Sequence, residues 1–217
     1  MRHRMNPGSR RAEKGVLPAV RVLLAAKFHQ SGQTAHLVDL ARSLRKMGHE
    51  VLAAALGRPH PRPAGPYFRE LEKSGIPLGN AANVPQFLSL AAAFSPDVAH
   101  GHSSTAVPYL LALKKSRGVP AVLTCHGFGV PQRCPAVAGI DRCIAVGPNV
   151  ARELKAHGLA PVVIPNGVDT DRFRPGRKPP VLKVAYVGRV DATKRRALSE
   201  LILAVRGIPG AQLAVAS

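Results

Sequence analysis

Val184-Ala-Tyr-Val-Gly-Arg-Val-Asp-Ala-Thr-Lys194 is the most informative stretch of the sequence. An apolar run ends at Gly188, Arg189 follows it, and Lys194 stands where an amphipathic segment with helical spacing begins. A strand that passes through a glycine and two cations into a helix N-terminus is suited to binding a phosphate group. A cation at the start of a helix is unfavourable for the helix dipole, so Lys194 has little structural reason to be there. The stretch therefore predicts a phosphate-binding strand–turn–helix unit.

Apolar and amphipathic segments alternate along the rest of the chain. The stretches 20–26 and 50–56 are almost wholly apolar, which is typical of strands buried on both faces of a parallel sheet. Between them, the apolar residues of 37–47 recur at helical spacing, and Gly48 is the expected end of that helix. Further strands are predicted at 98–101, 121–125, 142–146, 162–164, 182–187 and 213–216, further helices at 66–74, 85–94, 105–116, 149–157 and 198–205, and an irregular loop at 127–138. This alternation predicts an α/β fold with a doubly wound parallel sheet, that is, a Rossmann-like fold.

Composition narrows the class of protein. Hydrophobic residues make up 46% of the chain, which indicates a globular fold, and the absence of Trp argues against an aromatic platform for stacking sugars. The three cysteines are odd in number and lack a Cys-x-x-Cys spacing, so neither a disulfide framework nor a zinc site is expected. The residues 1–15 are polar and basic without an apolar signal segment, and we expect a cytoplasmic protein.

The formal net charge of +19 predicts an anionic partner. Nucleic acid, an acidic membrane surface and phosphorylated substrates are the three candidates. The basic residues lie in the N-terminal tail and in short clusters on helix faces, without one continuous basic arm that contains aromatic residues. This distribution weakens the nucleic-acid hypothesis, and solvated helix faces explain most clusters equally well.

Five short motifs occur in the order that is found in one enzyme family. They are Lys46-Met-Gly-His-Glu-Val51, Pro96-Asp-Val-Ala-His100, Thr124-Cys-His-Gly127, Ile164-Pro-Asn-Gly-Val-Asp169 and Gly188-Arg189 followed by Lys194. Each motif is weak by itself, whereas the five in this order are specific. Over residues 20–217 the chain resembles the GT-B glycosyltransferases, and it is most similar to the large retaining family called group 1 or family 4.

The resemblance implies two Rossmann-like domains, the first for an acceptor and the second for a nucleotide-sugar. We expect a basic tail at 1–18, the acceptor domain at 19–170, a linker at 171–181 and the first βαβ unit of an incomplete donor domain at 182–217. The implied reaction moves a sugar from a nucleoside-diphosphate sugar to an acceptor hydroxyl with retention, and it needs no cofactor. The implied acceptor is a lipid-linked or anionic glycan of cell-envelope polysaccharide or lipopolysaccharide biosynthesis, met at the inner face of the membrane.

The resemblance also assigns the residues of the site. His126, directly after the predicted strand 121–125, is the expected catalytic residue beside the transferred sugar. Gly188, Arg189 and Lys194 are expected to hold the donor diphosphate, since preorganised cations stabilise the charge that develops on a leaving group. The residues expected to line the acceptor cleft are Gly32, His100, His102 and Gly127.

His100-Gly-His102 also raises the question of a metal. A metal site needs three or four ligands, and the sequence shows no partner cluster for these two histidines. We therefore expect hydrogen bonding near the acceptor and no bound metal. A nucleophile–base pair of Cys125 and His126 is not expected, because adjacent residues on a strand point to opposite faces.

Two elements of the resembled family have no counterpart here, namely the glycine-rich loop after the strand that 213–216 matches and a pair of glutamates that holds the donor. We therefore expect the chain alone to be inactive, and its apolar edge at 213–216 to favour a homodimer or docking of a complementary half. The alternative hypothesis is a non-catalytic acceptor-binding or scaffold subunit that needs a separate donor domain. A nucleic-acid-binding Rossmann-like protein ranks last, because charge alone supports it.

Overall fold

The computed structural model describes residues 18–29, 31–57, 66–178, 180–188 and 190–216. The chain divides into two compact units, with the boundary between Asp169 and Thr170. The predicted tail, apart from its last residue, and Arg189 lie outside the described residues. The described residues of the predicted linker 171–181 contain neither helix nor strand. The division of the chain into acceptor and donor domains stays a prediction.

The first unit alternates strands and helices. Its strands are β1 (Arg21–Ala26), β2 (Glu50–Leu56), β3 (Leu78–Ala81), β4 (Val98–His102), β5 (Ala121–Cys125), β6 (Arg142–Ala145) and β7 (Val162–Val163). Its helices are α1 (Gly32–Lys46), α2 (Pro66–Lys73), α3 (Val84–Phe94), α4 (Val107–Arg117), α5 (Val130–Arg133) and α6 (Pro148–Ala156), with 3₁₀ turns at Ser104–Ala106 and Pro135–Gly139.

The seven strands form one parallel sheet in the order β3-β2-β1-β4-β5-β6-β7. The adjacent residues Leu23 and Leu24 of β1 are both fully buried but belong to different core clusters, since successive side chains of a strand point to opposite faces. The cluster of Leu24 includes residues of α1 and α2, and the cluster of Leu23 includes residues of α3, α4 and α6. Helices therefore cover both faces of the sheet, and the predicted fold class is confirmed.

Three local differences from the sequence-based prediction have physical reasons. The strand β3 was not predicted, because Leu-Gly-Asn-Ala is short and contains two poor strand formers, and its pairing with β2 decides its conformation. The predicted loop 127–138 contains the single-turn helix α5 and a 3₁₀ turn, each with a proline near its start. The helix α1 begins at Gly32, earlier than predicted, because Ser31 caps it by accepting a hydrogen bond from the backbone N–H of Thr34.

The second unit consists of β8 (Lys183–Val187), α7 (Arg195–Arg206) and β9 (Gln212–Ala216). The strands β8 and β9 pair in parallel as a two-stranded sheet. Among the described residues of this unit, only Val205 is buried, and large apolar side chains such as Val187 and Leu203 are 81% and 67% exposed. A βαβ unit with so little buried surface has little stability of its own.

Candidate functional site

The candidate site lies at the carboxyl ends of β4 and β5, close to the point where the strand order reverses. From β1 the chain proceeds outward to β2 and β3 on one side, and it then returns to β4, β5, β6 and β7 on the other. In open α/β sheets, ligands bind outside the carboxyl ends of the strands at such a switch point. His102 is the last residue of β4, His126 follows β5, and His36 lies on α1, the helix that follows β1.

Four histidines meet at this switch point, and we call them the histidine cluster: His36, His100, His102 and His126. The Nδ1 atom of His102 lies 3.0 Å from Nε2 of His126. The ring of His102 stacks on that of His100 with a centroid distance of 4.6 Å and on that of His126 with one of 5.3 Å. The ring of His36 stands edge-on to both His102 and His126, with centroid distances of 5.5 and 5.1 Å.

The backbone explains why these rings converge. His100 and His102 are two residues apart on β4, so their side chains point to the same face of the sheet. In the parallel register of β4 with β5, His102 stands opposite Thr124, and His126 follows two residues later. The intervening Gly101 faces the opposite side, where an added Cβ atom would lie 2.6 Å from Cβ of Ala106 in the 3₁₀ turn before α4 and 2.7 Å from Cδ1 of Leu110 in α4.

Burial sets the protonation state of the histidine cluster. The pKa of His100 is lowered to about 4, mainly by burial and to a smaller extent by the nearby His36 and His126. Burial, followed by the effect of His36, lowers the pKa of His126 to about 4. Burial also lowers the pKa of His36 and, together with the neighbouring histidines, puts that of His102 well below its ordinary value. The imidazoles are therefore neutral near pH 7, and each offers one donor and one acceptor.

Among the described residues, the hydrogen bonds of the cluster leave one fully buried ring nitrogen unsatisfied. Nε2 of His100 lies 2.7 Å from Oγ1 of Thr124. The backbone oxygen of His102 accepts a hydrogen bond of 3.2 Å from the side-chain amide of Gln33. Nε2 of the fully buried His102 has no hydrogen-bond partner among the described residues. An unpaired buried polar atom is costly and is frequently a sign of function.

The residues after His126 form a fixed turn that presents an exposed aromatic side chain. The backbone N–H of Gly129 donates to both carboxylate oxygens of Glu153, at 2.8 and 3.1 Å. The guanidinium of Arg133 donates to the backbone oxygen of Phe128 at 2.8 Å. The side chain of Phe128 is 61% exposed. Gly127, predicted to line the cleft, has open space where a Cβ atom would lie.

Gly32 is the first residue of α1 and also has open space at its missing Cβ position. Gly32 is exposed, so its backbone can be reached from solvent. Tyr67 of α2 ties the preceding residue in place, because its hydroxyl donates to the backbone oxygen of Ser31 at 3.2 Å. The role of Gly32 in binding stays a prediction.

The predicted diphosphate residues belong to the second unit. Gly188 directly follows β8, and its backbone N–H donates to the backbone oxygen of Ala216 at 3.0 Å. Lys194 is the exposed N-cap of α7, and its own side chain makes no capping hydrogen bond. Asp191 and Thr193 order the preceding turn, since the backbone N–H of Thr193 donates to a carboxylate oxygen of Asp191 at 3.0 Å. Arg189 falls outside the described residues, so its predicted role is not addressed by the structure.

His36 is the member of the histidine cluster that sequence analysis missed. It lies 64 positions from His100 along the chain, and it is near the other histidines only because α1 packs on β1 and β2 of the sheet. His36, His102 and His126 each offer a ring nitrogen, and these three nitrogens lie within 4.8 Å of one another. The sequence argument against a metal relied on the lack of a partner for His100-Gly-His102. The structure supplies such a partner in His36, and the expectation of no bound metal stays a prediction.

Comparison with known proteins identifies the family. The model of Glycosyltransferase Family 4 matches residues 30–172, which is more than half of the chain. The protein therefore belongs to this glycosyltransferase family, and the predicted resemblance is confirmed. No curated protein sequence matches the chain.

Solved structures share the fold at low sequence identity. The chain is similar to Anabaena Alr3699/HepE in complex with UDP-glucose, with a TM-score of 0.69 and 17% identity over 90% of this chain and 60% of that one. It is also similar to a glycosyltransferase from Rickettsia africae, with a TM-score of 0.68 and 13% identity over 93% of this chain and 69% of that one. A third similar structure is the lipopolysaccharide outer core galactosyltransferase WaaB, with a TM-score of 0.57 and 14% identity over 90% of this chain and 60% of that one. The chain thus spans about three fifths of the HepE and WaaB chains.

Proposed function

We propose that the protein takes part in the transfer of a sugar from a nucleoside-diphosphate sugar to an acceptor hydroxyl, with retention of the anomeric configuration. The observation that carries this proposal is the match to Glycosyltransferase Family 4 over the unit that contains the histidine cluster. Structures with the same fold include one in complex with UDP-glucose. The donor proposed for this chain is therefore a nucleotide-sugar.

In this proposal His126 contacts the reacting sugar. Its ring is partly exposed, it follows the carboxyl end of β5, and its low pKa keeps it neutral near pH 7. A neutral imidazole can accept a hydrogen bond from a sugar hydroxyl and donate one at its other nitrogen. His102 orients the ring through the 3.0 Å contact between Nδ1 and Nε2. Gly32, His100 and Gly127 contribute to the surface on which the acceptor lies.

The donor diphosphate is assigned to Gly188, Arg189 and Lys194. The exposed ammonium of Lys194 and the N-terminus of α7 are both attractive to a phosphate. These groups would stabilise the charge that develops on the departing nucleoside diphosphate, which is how preorganised cations contribute to such reactions. No metal is assigned to this step.

The proposed acceptor is a lipid-linked or anionic glycan. The formal net charge of +19 supports an anionic acceptor or membrane surface. One structure of similar fold belongs to a lipopolysaccharide galactosyltransferase, which supports an envelope glycan. Among the described residues, no helix is long and apolar enough to cross a membrane. We propose that the protein acts in the cytoplasm, peripherally at the inner face of the membrane.

The second candidate function is a non-catalytic acceptor-binding or scaffold subunit that pairs with a separate donor domain. The observation that favours it is the second unit, where only Val205 is buried among the described residues. Orienting donor and acceptor can lower a barrier by about 7–11 kcal/mol, and this requires the donor to be held at both ends. A βαβ unit alone offers few groups for this purpose, so we propose that the chain is inactive without a complementary domain or a second copy.

A labelled-donor assay distinguishes the two candidates. The untagged chain is incubated with a panel of nucleotide-sugars and with phosphorylated lipid and glycan acceptors, alone and together with the donor domain of a family member. We expect no transfer by the chain alone and measurable transfer with the added domain, and His126→Gln should abolish the latter. Robust transfer by the chain alone would overturn the proposed inactivity. If no combination transfers sugar while the chain still binds acceptor, the scaffold function is favoured.

A further inference from the structure

His36, His102 and His126 form a three-sided arrangement of imidazoles that we call the histidine tripod. Their ligand nitrogens lie within 4.8 Å of one another, although they come from α1, the end of β4 and the residue after β5. His102 is fully buried and holds the base of the tripod, while His36 and His126 are partly exposed. The tripod is therefore both anchored in the core and reachable from solvent.

The protein alone does not satisfy the polar atoms of the tripod. Nδ1 of His102 lies 3.0 Å from Nε2 of His126, and a metal ion bound by both nitrogens would replace the hydrogen bond between these two neutral imidazoles. Packing against apolar neighbours does not explain why an aromatic ring with two nitrogens occupies this buried position. Three convergent neutral imidazoles are, in contrast, the ligand set of an open zinc site, which leaves a fourth position free.

We propose that the histidine tripod binds one divalent transition-metal ion of the Zn²⁺ or Co²⁺ type, with a fourth coordination position open to water or to an anionic oxygen. Imidazole nitrogens suit zinc, copper, nickel and cobalt, whereas Mg²⁺ and Ca²⁺ prefer oxygen ligands. The neutral ligands leave both positive charges of the ion uncompensated. A phosphate oxygen is therefore a suitable fourth ligand.

Small ring movements complete this site. With Zn–N distances of about 2.0–2.1 Å and tetrahedral angles, two ligand nitrogens stand about 3.4 Å apart. The nitrogens of His102 and His126 are already 3.0 Å apart, and the third lies within 4.8 Å of both. Rotation of the partly exposed ring of His36, which moves its nitrogen by at most about 1.4 Å, supplies the rest. The stacked ring of His100, held by Thr124, supports His102 from the far side.

This inference does not rest on the proposed sugar transfer, because it concerns binding by the first unit alone. A metal at the tripod would occupy His126 and keep it from contacting a sugar. We therefore expect Zn²⁺ to inhibit any transfer in which His126 takes part.

The test is a titration of the untagged 217-residue chain with Co²⁺, followed by its visible absorption and by calorimetry. We expect saturation at one ion per chain, with the intense bands of a four-coordinate cobalt centre, and displacement by Zn²⁺ but not by Mg²⁺. The ligand variants are His36→Gln and His126→Gln, both at partly exposed positions, so that folding is retained and can be checked by circular dichroism. The matched control is His157→Gln, at an exposed histidine directly after α6.

Loss of an outer-shell partner weakens metal binding by 10–100-fold, so loss of a ligand should weaken it by about 100-fold or more. We expect this loss in both ligand variants and an unchanged affinity in the control. The proposal is overturned if the chain takes up no stoichiometric Co²⁺, or if the two ligand variants bind as tightly as the wild type. It is also overturned if His157→Gln weakens binding as much as they do.

Discussion

Nδ1 of His102 lies 3.0 Å from Nε2 of His126, which joins the carboxyl ends of two neighbouring strands through a pair of imidazoles. Such a contact requires one ring to donate and the other to accept, so it exists only while at least one of the two histidines is neutral. Burial keeps both neutral near pH 7, since it lowers the pKa of His126 to about 4 and that of His102 well below its ordinary value. The site is therefore organised near neutral pH and is sensitive to acid.

The first prediction concerns stability in acid. His100 and His126 have a folded-state pKa of about 4 against an ordinary value of 6.5, so the unfolded chain takes up protons between these values while the folded chain does not. The free energy of unfolding should therefore fall as the pH drops from about 6.5 towards 4, by at most about 1.4 kcal/mol per pH unit and histidine. The contribution of His126 is smaller, because it is partly exposed.

Urea unfolding at about pH 7.5 and about pH 5 measures this effect. His126→Gln should show a smaller difference between the two conditions than the wild type, and His157→Gln an equal one. If the wild type and His126→Gln lose the same free energy of unfolding between the two pH values, the pKa of His126 is not lowered in the folded protein.

The second prediction concerns the glycine between the two histidines of β4. A Cβ atom at Gly101 would lie 2.6 Å from Cβ of Ala106 and 2.7 Å from Cδ1 of Leu110. Gly101→Ala should destabilise the first unit by about 1–3 kcal/mol, because β4 and α4 must move apart. The matched control is Gly167→Ala, where nothing lies within 4 Å of the added atom and the expected change is below about 0.5 kcal/mol. Chemical denaturation compares the two, and equal effects would contradict the packing argument.

The third prediction concerns Asp141, which precedes β6. Its side chain accepts hydrogen bonds from Nζ of Lys114 at 2.7 Å and from the backbone N–H of Ala121 at 2.9 Å, and these bonds hold the pKa of Asp141 below its ordinary value. Asp141→Ala should destabilise by about 1–2 kcal/mol, since the N–H of the buried Ala121 loses its partner. Asp141→Asn, which retains an acceptor, should have a smaller effect.

The control for Asp141 is the exposed pair of Arg21 and Glu50, whose atoms lie 3.5 Å apart. Glu50→Ala should change the free energy of unfolding by about 0.5 kcal/mol or less. Because the folded-state pKa of Asp141 lies below its ordinary value, the ionised side chain stabilises the fold at pH values above that ordinary pKa. This stabilisation is lost as the pH falls through the folded-state pKa. If Asp141→Ala and Glu50→Ala lower the free energy of unfolding by the same amount at neutral pH, the hydrogen bond from Ala121 to Asp141 contributes nothing to stability.

The fourth prediction tests the proposed diphosphate site. Lys194→Ala removes a charged contact, and binding of a nucleoside diphosphate should weaken by about 1.5–3 kcal/mol. Lys183→Ala provides the control, since Lys183 is also exposed and begins β8 of the same unit. Calorimetry with UDP measures both variants. Identical affinities for the wild type and Lys194→Ala would leave Lys194 as an ordinary surface charge.

The fifth prediction tests the membrane surface. With a formal net charge of +19, the protein should bind acidic vesicles at low salt and release them as the ionic strength rises. Screening shortens the range of these charges to about 10 Å at 0.1 M salt. Co-sedimentation with acidic and with neutral vesicles measures the difference. Equal binding to acidic and neutral vesicles would contradict the proposed membrane contact. Tight binding of duplex nucleic acid at physiological salt would instead favour the hypothesis of a nucleic-acid-binding protein.

Much of the fold could be predicted because the parallel strands are buried on both faces. Such strands are continuous apolar runs in the sequence, and β2 and β5 have the predicted bounds. The strand β3 could not be predicted, since Gly79 is favoured there by packing rather than by propensity. A Cβ atom at Gly79 would overlap Leu90 of α3. The positions of His102 near the end of β4 and of His126 directly after β5 followed from the same pattern.

The sequence by itself determined most of the alternation of strands and helices, the family motifs and the histidines at the end of β4 and directly after β5, because these follow from local periodicity and neighbouring residues. Only the tertiary structure decided that α1 packs so as to bring His36 to His102 and His126, and that burial makes all three neutral. The physical reason is that desolvation and the convergence of side chains depend on contacts between residues distant in the chain. No local pattern encodes either of them.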